Sequence, residues 1–163
     1  MNIQIPEETI RVSDLANYKA KSGRFVPVWT IEIQTLPADT DRILDAVMEV
    51  HPLSFGRYQR NAAISAIGKE TSQPEIGSTT TTHVDGFEAG GTETYPMVEL
   101  KISIERDLAI LEKVMDAIIY VHHYEEPVIL LREDWAGRAS YDPNSSNPNR
   151  WWNDGRGLPD KPE

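Results

Sequence analysis

The 163-residue chain contains no cysteine, which excludes disulfide staples and every chemistry that needs a thiolate. No cluster of Lys and Arg rises above the background. The 16 basic residues stand against 26 acidic ones, for a formal charge of -10, so most of the surface would repel a phosphate backbone. Nucleic acid is therefore not an expected partner. No apolar run approaches the roughly 20 residues of a membrane helix, so no membrane partner is expected either. The stretch Met1 to Glu8 has neither a basic start nor an apolar core, so no signal peptide is expected and the location read from it is cytoplasmic. A Gly-x-Ser-x-Gly elbow and a His-Glu-x-x-His pair are also missing. The glycine-bearing pieces Gly68-Lys69 and Gly90-Gly91-Thr92 could bring amides to a phosphate, but neither reads as a Walker-type loop opening a helix. These absences turn the reading away from an enzyme.

What is present is an internal echo. Val50-His51-Pro52-Leu53 resembles Tyr120-Val121-His122-His123-Tyr124, and His51 and His122 are 71 positions apart. At that offset Ile31 falls on Ile102, Ile33 on Ile104, Asp45 on Asp116, Ala46 on Ala117 and Val50 on Val121, with no gap. Apolar residues stay in phase as well: Trp29 meets Leu100, Ile43 meets Val114, Leu44 meets Met115 and Val47 meets Ile118. Matching periodicity through a strand and a helix points to a duplicated unit.

In chain order, residues 1–27 read as an arm, with a short helix expected from Ser13 to Ala20 under a Ser13 cap. From Val28 to Leu36 the chain alternates, Trp29, Ile31 and Ile33 on one face and Thr30, Glu32 and Gln34 on the other, which predicts a strand. A helix follows from Asp39 or Thr40 and stops at His51-Pro52. Ala62 to Ile67 reads as a second strand. Gly68 to Pro96 reads as a long connection, with Ser78 to Thr82 extended in a small hairpin with Phe87. Val98 to Ile104 alternates again, and Asp107 to Tyr120 is a helix apolar on two faces. Val128 to Leu131, a continuous apolar run, predicts a strand buried on both sides. Residues 134–163 read as a tail that docks in part, because Trp135, Trp151 and Trp152 are unusual cargo for a free one.

Two β-α-β units in tandem give an α+β, ferredoxin-like β-α-β-β-α-β domain over residues 28–133, with a four-stranded antiparallel sheet and both helices on one face. The residues carry a family resemblance too. His122-His123-Tyr124-Glu125-Glu126-Pro127 resembles the His-Pro-Tyr-Glu-Glu-Pro signature of the small PII-like domain in YqfO-type proteins, of which CutA proteins hold a close variant. His123 stands where that signature has proline. The order of parts, with a Gly-x-Tyr turn at Gly56 to Tyr58, is similar to the family's. The resemblance implies a ferredoxin-like fold and a homo-oligomer, a trimer in many members. It also implies divalent cations for CutA and nucleotide sensing for PII proteins.

The residues allow two chemistries at the signature. His83, His122 and His123 are the expected metal ligands if the protein holds a divalent ion, and Tyr58, Tyr124, Glu125 and Glu126 the expected ligand-binding groups. Alternatively, His51 and His122 each cap a helix C-terminus, and the acids lie in a solvated turn or bridge subunits. Antiparallel helices place the two histidines at opposite edges of the sheet. The function expected is non-catalytic: a small-ligand or divalent-metal binding protein with a sensing or accessory role. The alternatives are a structural assembly module with a possible protein partner, or a PII-like nucleotide sensor.

Overall fold

The computed structural model describes residues 12–20, 22–87 and 89–140. Contacts group Pro27–Ala136 into one compact unit, and the described flanking residues into another. The two central strands, β2 (Gly23–Thr35) and β5 (Glu93–Glu105), run antiparallel from Val28 opposite Glu105 to Thr35 opposite Val98. Their alternation does what the pattern requires: Ile31, Ile33, Leu100, Ile102 and Ile104 are buried to 1% exposure or less. The edge strand β3 (Ala62–Ile64) and its continuation β4 (Gly68–Ser72) pair with the far side of β5, and β6 (Ile129–Ala139) pairs with β2. Helices α1 (Thr40–Val50) and α3 (Leu108–Val121) share one core with the sheet, where Ile43, Val47, Val114 and Ile118 meet the strand isoleucines. Asp107 starts α3 by accepting from the Ala109 and Ile110 amides, a standard N-cap. The topology is ferredoxin-like.

The sheet register locates the duplication in space. Ile31 lies directly opposite Ile102, and these are residues that the 71-residue offset equates. An approximate two-fold axis therefore passes through that pair, and each half of the unit is the other turned about it. The axis leaves the molecule between the helices, where a groove of about 870 Å³ runs. Its lining falls into five pairs 71 apart, among them Arg42 and Lys113, Ala46 and Ala117, and Val50 and Val121.

Four expectations are corrected. The helix expected at 13–20 is a 3-10 segment, Val12–Asn17, followed by β1 (Lys19–Ala20), which hairpins onto Arg24 and Gly23. Tyr18 packs on Phe25 at 5.5 Å there, a contact that a hairpin supplies and an isolated short helix lacks. Gly23 sits so near the Arg138 carbonyl that a Cβ would meet it at 3.2 Å. Second, the long connection shrinks to 73–92, because Gly68–Ser72 pairs with Glu93 to Met97. The register slips by one residue between β3 and β4. Ser65 absorbs it: its hydroxyl, standing in for a carbonyl, accepts from the Glu99 amide at 2.9 Å.

Third, the threonine run is helical, not extended, and forms α2 (Thr79–His83). Ser78 accepts from the Thr81 amide, and the hydroxyls of Thr81 and Thr82 donate to the Glu75 and Ser78 carbonyls. Such local side-chain bonds outweigh β-propensity in a short loop. Fourth, β6 does not stop at Leu131, and its apolar run is not covered on both sides: Val128, Leu130 and Leu131 are 43%, 49% and 45% exposed. Trp135 belongs to this strand. The Arg106 guanidinium lies 5.5 Å from the Trp29 ring and 5.7 Å from the Trp135 ring, and also bonds Glu133 and the Asp134 carbonyl. The expected docking of Trp151 and Trp152 lies outside the described residues. No described helix is long and apolar enough to cross a membrane.

Candidate functional site

The His122–Pro127 stretch leaves the end of α3 and crosses the ends of β2 and β4. His122 has both ring nitrogens in use. Its Nδ1 accepts the Tyr124 amide at 3.0 Å, and its Nε2 lies 3.0 Å from the Gln34 carbonyl oxygen. A carbonyl only accepts and a backbone amide only donates, so the ring is fixed as the neutral Nε2–H tautomer. Burial also holds its pKa below the ordinary imidazole value, against the pull of the Gln34 carbonyl.

Tyr124 extends the connection outward. Its hydroxyl donates to the Glu70 carboxylate on β4, and its pKa is driven far above the usual phenol range, first by burial and then by that carboxylate. The His122 ring meets it edge-on at 5.1 Å. Glu70 faces Tyr95 across the β4–β5 ladder, and Tyr95 stacks on Phe87 at 6.3 Å. The next residue, Glu125, accepts the Thr79 amide at 2.8 Å and so anchors the start of α2, which lowers its pKa. The strap 122–125 thus ties β2, β4 and the 73–92 connection together.

The other histidine repeats this arrangement half a turn away. His51 Nδ1 accepts the Leu53 amide at 3.1 Å, and its Nε2 lies 2.7 Å from Glu105. Leu53 stands to Tyr124, and Gln34 to Glu105, at the same 71-residue offset. Neither histidine side chain bonds the carbonyls of its own helix, which corrects the capping expectation; each takes an amide two residues on and reaches a strand end. The halves diverge at the residue that gives this amide. Leu53 is 1% exposed packing, whereas Tyr124 opens into a polar chain.

The remaining expected site residues are scattered. His123 is exposed, its ring edge-on to Tyr124 at 6.5 Å, and Glu126 is exposed. His83 ends α2 and is exposed. Tyr58, 77% exposed, lies in the 51–61 loop, bridged to Phe55. The expected metal set His83, His122 and His123 is not assembled: among the described residues no group of three or more His, Asp or Glu is arranged to hold an ion. His122 in particular could bind a metal only by giving up one of its two hydrogen bonds. Sequence reasoning missed Gln34, Glu70 and Thr79. The offset itself could have found Gln34, since it equates that residue with Glu105. On the opposite face of the sheet, Glu32 bonds Arg132 at 2.6 Å and Lys101 at 3.3 Å, as a polar face requires.

A sheet of this order with two helices on one face defines a ferredoxin-like domain. No family model matches the chain, and no curated protein matches it. Solved structures do. A Bacillus cereus protein related to NIF3 superposes with a TM-score of 0.51 at 17% identity, over 67% of this chain and 26% of that one. This chain therefore spans about a quarter of that protein's length, and the likeness shows a shared fold. CutA1 from Ehrlichia chaffeensis, a divalent ion tolerance protein, gives 0.46 at 12% identity over 66% and 80% of the two chains. The B. subtilis GlnK–ATP complex gives 0.42 at 14% over 66% and 84%.

Proposed function

We propose that the chain is a non-catalytic, PII/CutA-like module that works as a homo-oligomer, in which the His122–Pro127 stretch is a structural strap. The observation that carries this reading is β6. An edge strand whose Leu130 and Leu131 stand nearly half exposed, with successive side chains on both sheet faces, invites pairing and aggregation unless something covers it. A second copy supplies that cover. The strap supports the reading in a different way: His122, Tyr124 and Glu125 are each committed to a bond that holds the fold, so none of the three is free to serve as a metal ligand without breaking it.

Sedimentation velocity of the full chain tests it. An oligomer is expected at micromolar concentration, and Leu130→Glu with Leu131→Glu should reduce it to monomer while far-ultraviolet dichroism is retained. A wild-type monomer at about 100 μM would sink the proposal. A second reading, small-ligand binding at the strap, is favoured by the polar chain found at Tyr124 and not at Leu53. A ligand of the folded state at about 100 times its Kd adds roughly 2.7 kcal/mol, visible in a thermal-shift screen of divalent metals and adenine nucleotides.

A further inference from the structure

We infer that His122 is a proton-operated latch: uptake of one proton at its Nδ1 expels the Tyr124 amide and frees the 122–125 strap from β4 and from the 73–92 connection.

The geometry sets this up without a choice of tautomer. Nδ1 is the only position open to a second proton, because Nε2 already carries one for the Gln34 carbonyl. A proton there would aim one N–H at another across 3.0 Å. The bond cannot survive protonation, so the two events are coupled. What Tyr124 holds is then at stake. Its hydroxyl is bonded to Glu70, and its neighbour Glu125 anchors Thr79. Displacing residue 124 therefore loosens the middle of β4 and the start of α2 together.

The charges around the ring do not prevent this. Asp39 and Arg42 of the α1 end are paired with each other at 3.0 Å and act on the imidazole in opposite directions. His123, on the strap itself, adds repulsion to any positive charge at His122. From β4, Glu70 is occupied by Tyr124, and Glu125 by Thr79. Gln34 on β2 offers a neutral carbonyl. The two-fold counterpart is built otherwise: His51 Nε2 faces the Glu105 carboxylate, and the amide that its Nδ1 takes belongs to buried Leu53, with no polar chain beyond it. The same cap thus has an acid behind one copy and none behind the other.

The sign follows from burial. The folded protein prefers the neutral ring more than the unfolded chain does, so strap stability is full above the ordinary imidazole value of 6.5. It falls as pH drops through that value and levels off below the depressed folded one.

The test is hydrogen exchange and nitrogen NMR on the full chain between pH 8 and pH 5. At pH 8 the His122 ring should show the Nε2–H tautomer. On acidification below the ordinary value of 6.5, Tyr124 amide protection, corrected for intrinsic exchange, should fall by up to about tenfold per unit of pH relative to the Ile31 amide at the core. Amides of 68–72 and 79–83 should follow. In His122→Asn the Oδ1 can take the same amide and does not titrate, so the pH response should vanish. Tyr124→Phe covers the case where that variant misfolds: it keeps the amide but cuts the Glu70 link, and β4 should then be open and pH-independent. An Nδ1–H tautomer, a pH-independent Tyr124 amide, or an unchanged response in either variant would overturn the latch. These readouts are local to one subunit, so they fail or succeed independently of assembly.

Discussion

Replacing His51 with alanine tests whether the paired histidines hold the fold. The side chain is buried, and Leu53, whose amide it accepts, is 1% exposed. Removing the ring leaves that donor with neither protein nor solvent as partner, which costs about 1–3 kcal/mol. Glu105 is 65% exposed and returns to water, so its lost bond adds little. Leu53 also sits at φ 47°, a left-handed conformation that costs a leucine about 1–2 kcal/mol and persists because its amide is pinned. Once unpinned, the residue can relax and recover part of that. The expected net loss is about 1 kcal/mol. His51→Asn keeps an acceptor where Nδ1 was and should lose less than about half as much, on the same premise that a paired donor escapes the penalty. Urea unfolding measures both, from the shift in midpoint at constant slope. If His51→Ala and His51→Asn fall equally, or if alanine costs nothing, the bond to Leu53 is not what secures this corner.

The two-fold axis makes a second expectation. Ile31→Ala and Ile102→Ala should cost similar amounts, each within about 2–5 kcal/mol, and their effects should not add, because the residues face one another in the sheet. A double mutant that loses the plain sum in urea unfolding would speak against a shared central contact. A third concerns acid. Hydrogen bonds from Arg132 and Lys101 hold the Glu32 pKa below its ordinary 4.5, so the stability it brings is present above that value and drains as pH falls through the lower folded one. Glu32→Gln should flatten that part of the stability profile and leave the region above pH 6 unchanged in shape.

The parts of the fold legible in the sequence are those governed by periodicity. β2, β5, α1 and α3 follow from the spacing of residues such as Ile31, Ile33, Val114 and Ile118, which the core buries completely. Where local polar bonds decide, periodicity has no voice. Thr79 to His83 carries strand formers, yet Ser78 and the threonine hydroxyls wind it into a turn of helix. The end of β6 was hidden for a related reason: Arg132 and Glu133 look like the start of a tail, but Arg132 pairs with Glu32 and Glu133 with Arg106. Of the candidate site, the signature stood out as a cluster of ionisable residues, while its partners Gln34 and Glu70 are 88 and 54 positions from the groups they meet. Only the fold brings them together.

Duplication explains why a site could arise at one corner and not at the other. Both halves need a residue that fastens the chain leaving the helix to a strand end, and the histidine ring does so. That requirement is met by the ring alone, so the residue two positions on is free to differ. In the first half it became Leu53 and closed the core. In the second it became Tyr124, which reaches Glu70 on a strand that the first half supplies. The partner of each ring differs in the same sense: a carboxylate, Glu105, stands behind His51, and a neutral carbonyl, Gln34, behind His122. A fastening that only closes the core is a rivet, and one that holds a further chain of bonds is a catch. The pseudo-symmetric pair holds one of each, and the catch is the one tied to the 73–92 connection.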